Sequence, residues 1–184
     1  MKHIAVVLFT ILLSGCAITA IDPDKPATVG DIVVDPQLKW ADIRAASTNG
    51  TVWTVDGLGL DELHFYPKVV PGHTLYGKDD NALPHYDASM LPDDIEELFS
   101  ATLGRNGFRD VHTDSLKPTT FGTANAVSFH LSFATPDGLE MDGLVLAAQR
   151  PSQLDAIMFV APREFYFGQY KAAVERIFAS ARFE

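Results

Sequence analysis

From Val127 to Ala161 the chain carries the pattern that most restricts its fold. Val127, Phe129, Leu131 and Phe133 alternate with Ser128, His130 and Ser132. Period-two alternation is the mark of a strand with one face buried and the other wet. Pro136-Asp137-Gly138 then supplies a turn. Leu139 to Ala148 and Leu154 to Ala161 read as two further strands, joined by a short link, Gln149 to Gln153, that contains Pro151. Three successive antiparallel strands make a meander, and its apolar face needs a helix or a second layer to cover it.

Two helices are available. The first is predicted over Pro92 to Arg105, with Pro92 in the first turn and Asp93 and Asp94 complementing the positive helix end. Ile95, Leu98, Phe99, Thr102 and Leu103 share one face, and Asn106-Gly107 is a left-handed stop. The second begins between Arg163 and Gln169 and runs to about Ala181, burying Tyr170, Ala173, Val174, Ile177 and Ala181. Upstream, Gly50 to Asp56 and Asp61 to Pro67 read as a hairpin, and Phe108 to Leu116 as another strand. The fold class is therefore α+β, an antiparallel sheet flanked by helices. Between Pro67 and Leu91 no period is visible, and a structureless stretch of that length is often functional.

The first sixteen residues, MKHIAVVLFTILLSGC, have a different logic. Lys2 is a positive n-region, and the run from Ile4 to Leu13 suits a signal sequence and is too short to span a bilayer. Leu13-Ser14-Gly15-Cys16 resembles the bacterial lipobox, and Cys16 is the only cysteine in the chain. The reading is a signal peptide over 1–15, an acylated Cys16 opening a flexible tether over 16–30, and one domain over 31–184. Pro23 and Pro26 suggest the tether, whose twelve or so residues reach roughly 40 Å when extended. Ala17 after the cysteine resembles an outer-membrane address, with the body facing the periplasm.

Composition removes some classes of function. The net charge of −10 argues against nucleic acid, whose phosphates need Lys and Arg. An acidic body is also repelled by anionic lipid, so the acyl group rather than a basic patch must hold it to the membrane. A single cysteine rules out an internal disulfide framework. A monomer is the default for such a domain.

The order of elements resembles a known family. A Trp-containing entry (Trp40, Trp53), a hairpin, a helix, a meander, and a strand ending Ala161-Pro162 before a helix ending Ile177-Phe178-Ala179-Ser180-Ala181-Arg182-Phe183 are similar to the Mog1/PsbP-like α/β/α sandwich. The chain also resembles a group of uncharacterised proteobacterial lipoproteins in Trp53-Thr54-x-Asp56-Gly57-Leu58 and Leu60-Asp61-Glu62-Leu63-x-Phe65-Tyr66. The resemblance implies a non-catalytic accessory or assembly role, since PsbP-like proteins act mostly in that way and Mog1 binds a protein partner. It transfers no functional residue.

Three constellations remain. His73, His85 and Asp87 in the long stretch could ligate a divalent metal, but lack the His-x-His or His-x3-His spacing that aims two rings at one ion. Ser128, His130 and Ser132 share a strand face and are a serine–histidine candidate for a hydrolase, with His85 the other histidine considered, but there is no Gly-x-Ser-x-Gly elbow. Tyr66, Tyr76, Tyr86 and Tyr166 are candidates for a partner surface. Phe165-Tyr166-Phe167 cannot all face one core, so at least one is exposed or seals the helix entry. The expected function is a membrane-anchored, protein-binding envelope module without cofactor. The alternative is a small-ligand or metal-binding lipoprotein using the 67–91 loop, and a hydrolase comes last.

Overall fold

A computed structural model describes residues 18–43, 51–76 and 82–184. Cys16, Ala17, Asp79 and Asp80 lie outside them, and so does the signal-peptide reading.

The meander is present, with four strands: β7 (Arg109–Phe121), β8 (Ala124–Ala134), β9 (Glu140–Arg150) and β10 (Gln153–Pro162). The hairpin of β5 (Thr51–Thr54) and β6 (Glu62–Val69) joins it through antiparallel pairing of β6 with β10. With β1 (Ile18–Ala20) and β4 (Ala41–Ile43) the sheet has eight strands in the order β1-β4-β5-β6-β10-β9-β8-β7. A small second sheet orders β11 (Arg182–Phe183), β3 (Ile32–Val34) and β2 (Ala27–Val29). Helix α1 (Pro92–Arg105) covers one face of the large sheet and α2 (Gly168–Ser180) the other, after a π-helical turn at Arg163–Phe167.

Each face has its own core. Trp40, Trp53, Phe65, Phe159 and Ile177 pack on the α2 side. Leu98, Phe99, Phe129, Leu131 and Met158 pack on the α1 side. Each such side chain contributes about 1.5–3 kcal/mol on burial. Gly143 is required where β9 passes β10, since a Cβ there would sit 2.8 Å from the Phe159 carbonyl oxygen. Helix α1 has the predicted bounds and the predicted buried stripe. Asp94 accepts the Leu91 N–H at 2.8 Å, and Gly107 takes φ +90° at the stop.

Three expectations are corrected. The flexible tether over 16–30 is not what residues 18–30 form: Ile18 to Ala20 pair with Ala41 to Ile43, and Ala27 to Val29 with Ile32 to Val34. Pro23 and Pro26 lie in the turn between these strands, where no ladder N–H is needed. The strand expected to end at Pro67 continues to Val69, because a register irregularity opposite Leu154 and Ala156 accommodates the proline. The stretch after it is partly core: Leu75 and Tyr86 are buried under the α1 face, and Gly72 and His73 exchange backbone hydrogen bonds with Tyr86.

One polar knot ties the small sheet to the large one. Asp155 is fully buried and accepts Lys68 N–H at 2.8 Å, Arg150 Nε at 2.9 Å and Gln153 Nε2 at 2.9 Å. The same guanidinium also pairs with Asp31, beside β3, and lies 3.7 Å from the Phe183 ring centroid on β11.

Candidate functional site

An open cleft of about 840 Å3 lies between α2 and strands β7 to β9. Its polar wall is built from Asp114, Lys117, Thr119, Ser128 and His130. Leu144 and Leu146 on β9, directly beside His130 and Ser128, add an apolar strip to the same sheet face, while Phe178 and Ala179 line the cleft from α2 and Lys171 and Glu175 stand on the helix rim. Register explains the polar wall. His130 is opposite Asp114 and Ser128 opposite Lys117, so these four residues point to the α2 face.

His130 joins the predicted polar strip, but its partners are not serines. Its Nδ1 lies 3.1 Å from Asp114 Oδ2, its Nε2 3.7 Å from Asp142 Oδ1, and its ring meets Phe167 edge-on. A serine hydrolase needs one imidazole nitrogen on the nucleophile and the other on the acid. Here both nitrogens face acids. Asp114 is held below the usual carboxylate range by hydrogen bonds from the Ser115 hydroxyl and His130.

The metal candidates are not brought together. Asp87 folds locally onto Ser89, accepting its N–H at 2.8 Å and its hydroxyl at 2.6 Å. The His73 ring lines a cavity of only about 70 Å3 beside Tyr66 and Thr74. His85 is half-buried, and among the described residues no group of three His, Cys, Asp or Glu side chains is arranged to hold a metal. The 840 Å3 cleft lies on the other face of the sheet from the described residues of the 67–91 stretch.

The tyrosines divide. Tyr66 and Tyr86 are core residues, 3% and 1% exposed, which corrects their assignment to a partner surface. Their rings fill the α1 face, and burial pushes the Tyr66 phenol well up from its usual range. Tyr76 is half-buried against Tyr66, with ring centroids 6.3 Å apart. Tyr166 is half-buried too, and the exposed member of its aromatic run is Phe165, at 64%. The run contains both of the expected alternatives, an exposed ring in Phe165 and a ring packed at the helix entry in Phe167. The π-helical turn decides which one turns outward: Phe167 packs at 6.1 Å on Phe159, while Phe165 stands edge-on against Tyr166 at 5.1 Å. Arg163, at the start of the turn, pairs with Asp142 at 3.0 Å and Glu140 at 2.5 Å. Those bonds hold the turn beside the strand start that follows Leu139, itself 49% exposed.

The residues that carried the lipoprotein resemblance form a structural turn. Buried Asp61 accepts Val55 N–H at 2.6 Å, Asp56 N–H at 2.8 Å and the Thr54 hydroxyl at 3.2 Å. Burial raises the Asp61 carboxyl above its ordinary range despite these bonds. Neighbouring Glu62 accepts Gly59 N–H at 2.7 Å and faces His64 Nε2 at 2.8 Å. Burial works to raise Glu62, but the bond and charge of His64 and the Gly59 N–H outweigh it and leave Glu62 lowered. A lowered carboxyl stabilises the fold above its ordinary value of 4.5 and loses that contribution as pH falls through the folded value. Glu62→Gln is expected to flatten the acid limb of stability against pH, read from urea midpoints taken below pH 4.5. An unchanged limb would show that other carboxyls dominate acid unfolding.

An antiparallel sheet with one helix on each face, entered by a Trp hairpin and closed by a strand–helix unit, defines a PsbP-like α+β fold. The particular match is the solution structure of cyanobacterial PsbP (CyanoP) from Synechocystis sp. PCC 6803. It gives a TM-score of 0.56 at 11% identity, covering 97% of this chain and 99% of that one. At that identity the likeness is one of fold. The crystal structure of LpqN, involved in cell envelope biogenesis of Mycobacterium tuberculosis, aligns over 90% of both chains at 11% identity, and its TM-score of 0.41 is too low to argue from. No family model and no curated protein matches the chain.

Proposed function

We propose that this protein is a lipid-anchored bacterial envelope module that faces the periplasm, on the outer membrane, and binds another envelope protein without catalysing a reaction. In this reading residues 1–15 are a signal peptide, and a diacylated Cys16 holds a monomeric domain to the bilayer. Two or more acyl chains anchor stably where one is marginal. No helix among the described residues is long and apolar enough to cross a membrane.

The observation that carries the protein-binding part is Phe165. It stands 64% exposed on a π-helical turn, a rare geometry found often at functional sites. Arg163 braces the turn through Asp142 and Glu140, and Tyr166 stands edge-on to the Phe165 ring. Aromatic residues, Phe among them, are enriched in interfaces, where a few anchors carry most of the binding energy. His130, with acids at both nitrogens, supports binding rather than turnover.

The test is in-cell crosslinking with mass spectrometry on wild type, Cys16→Ala and Phe165→Ala. Wild type should be in the membrane fraction with one specific partner, and Cys16→Ala should leave that fraction. Phe165→Ala should lose the partner while its stability changes by less than about 0.5 kcal/mol. Full recovery of the partner by Phe165→Ala would remove this surface from the reading. A wild-type protein found outside the membrane fraction would remove the anchor.

A further inference from the structure

We propose that the cleft between α2 and β7 to β9 binds a neutral, polyhydroxylated ligand of the saccharide class. This goes beyond the protein-contact reading and does not depend on it.

The first argument is the way the polar wall is made. In a regular strand, residues three apart point to opposite faces. Asp114 and Lys117 point to the same face because β7 slips register between them, with Ser115 in the left-handed region at φ +60°. A non-glycine residue there is strained, and bulges recur where a side chain must be re-aimed beside a site. The bulge sets an acid and a base side by side over His130 and Ser128.

The second argument is the charge pattern. Among the described residues, neither Lys117 nor Lys171 is paired with a carboxylate, although each shares the cleft with one, Asp114 or Glu175. A free anion would face two carboxylates, and a free cation two ammonium groups. A hydroxyl both donates and accepts, so acid and ammonium groups interleaved with Thr119 and Ser128 suit a ligand rich in hydroxyls. Leu144 on the sheet and Phe178 on α2 offer apolar surface for the C–H face of a sugar ring. A fatty acid would need a site apolar on both walls. A cavity of about 840 Å3 lies within the usual range for small-molecule sites.

The experiment titrates purified full-length protein, in detergent, with chitotetraose, maltotetraose and decanoate, followed by calorimetry and saturation-transfer NMR. One tetrasaccharide at least should bind. Lys117→Ala should weaken it about tenfold. Ala179→Arg, on the exposed helix rim, should abolish it by filling the cleft, and both changes are at exposed positions that leave the fold intact. Lys39→Ala, outside the cleft, should bind as wild type. The proposal is overturned if neither saccharide binds up to its solubility limit, or if binding survives Ala179→Arg. It is equally overturned if decanoate alone binds and Ala179→Arg blocks it, which would make the site one for an apolar anion. None of these outcomes bears on Phe165, so the two readings fail separately.

Discussion

Arg150→Ala is expected to destabilise the protein by about 3–5 kcal/mol, the range for removing one partner of a buried ion pair. Asp155 is 0% exposed, and without the guanidinium its charge keeps only the Lys68 N–H and the Gln153 amide. The same change frees Asp31 and removes the cation stacked on Phe183, so the small sheet loses its tie at β3 and at β11 together. For a chain of 184 residues this corresponds to a fall in Tm of roughly 10 °C. Urea denaturation checks the value, and an unchanged m-value would show that the folded state stays compact. Arg150→Lys should recover only part of the loss, because an ammonium cannot serve Asp155 and Asp31 in one planar fork. A loss below about 1 kcal/mol would mean that water replaces the guanidinium at Asp155, and that the knot is dispensable.

Asp61→Ala should cost about 3 kcal/mol. It strands the Thr54 hydroxyl and the Val55 and Asp56 N–H groups, at about 1–3 kcal/mol for each buried group left unmet, less what water restores at the partly exposed ones. Asp61→Asn should cost less. It keeps one accepting oxygen and avoids the burial of a charge, but turns an amide N–H2 toward donors. The two variants therefore separate hydrogen bonding from charge. If Asn were as damaging as Ala, the ionised form would be the one the turn needs. Loosening this turn should also reach α2, since Tyr170 donates its hydroxyl proton to Asp56. That coupling is visible as reduced protection of the α2 amides in hydrogen exchange.

The parts of the fold that were legible in the sequence are those whose pattern is local. Helix α1 spans four turns with an acidic start, an Asn-Gly stop and five residues on one stripe, and its bounds match. The meander was legible because Phe129, Leu131 and Phe133 keep strict alternation in one uninterrupted strand. β7 was legible only in part: two register shifts, at Asp110 and Ser115, break the period, and Pro118 falls inside what is an edge strand. β1 and β2 were hidden for another reason. Three residues carry no period, and the partner of β1 is more than twenty residues away. Tyr66 and Tyr86 misled because a tyrosine suits an interface as well as a core, and only the packing of Leu75, Tyr86 and α1 over the sheet decides between them. Half of the cleft was readable as the Ser128 and His130 strip. The other half needed the β7 register, which no periodicity reports.

The place of β1 changes how far the domain can stand from whatever holds its N-terminus. Ile18 already belongs to the eight-stranded sheet, two residues after Cys16. At about 3.3–3.6 Å per residue, that leaves a leash of about 7 Å in place of one several times longer. A lipidated Cys16 would then moor the sheet edge against the headgroups and confine the body to the layer of space one domain deep above the bilayer. So moored, the protein would survey the membrane in two dimensions, and the molecules it would meet are those whose own binding faces lie close to the lipid.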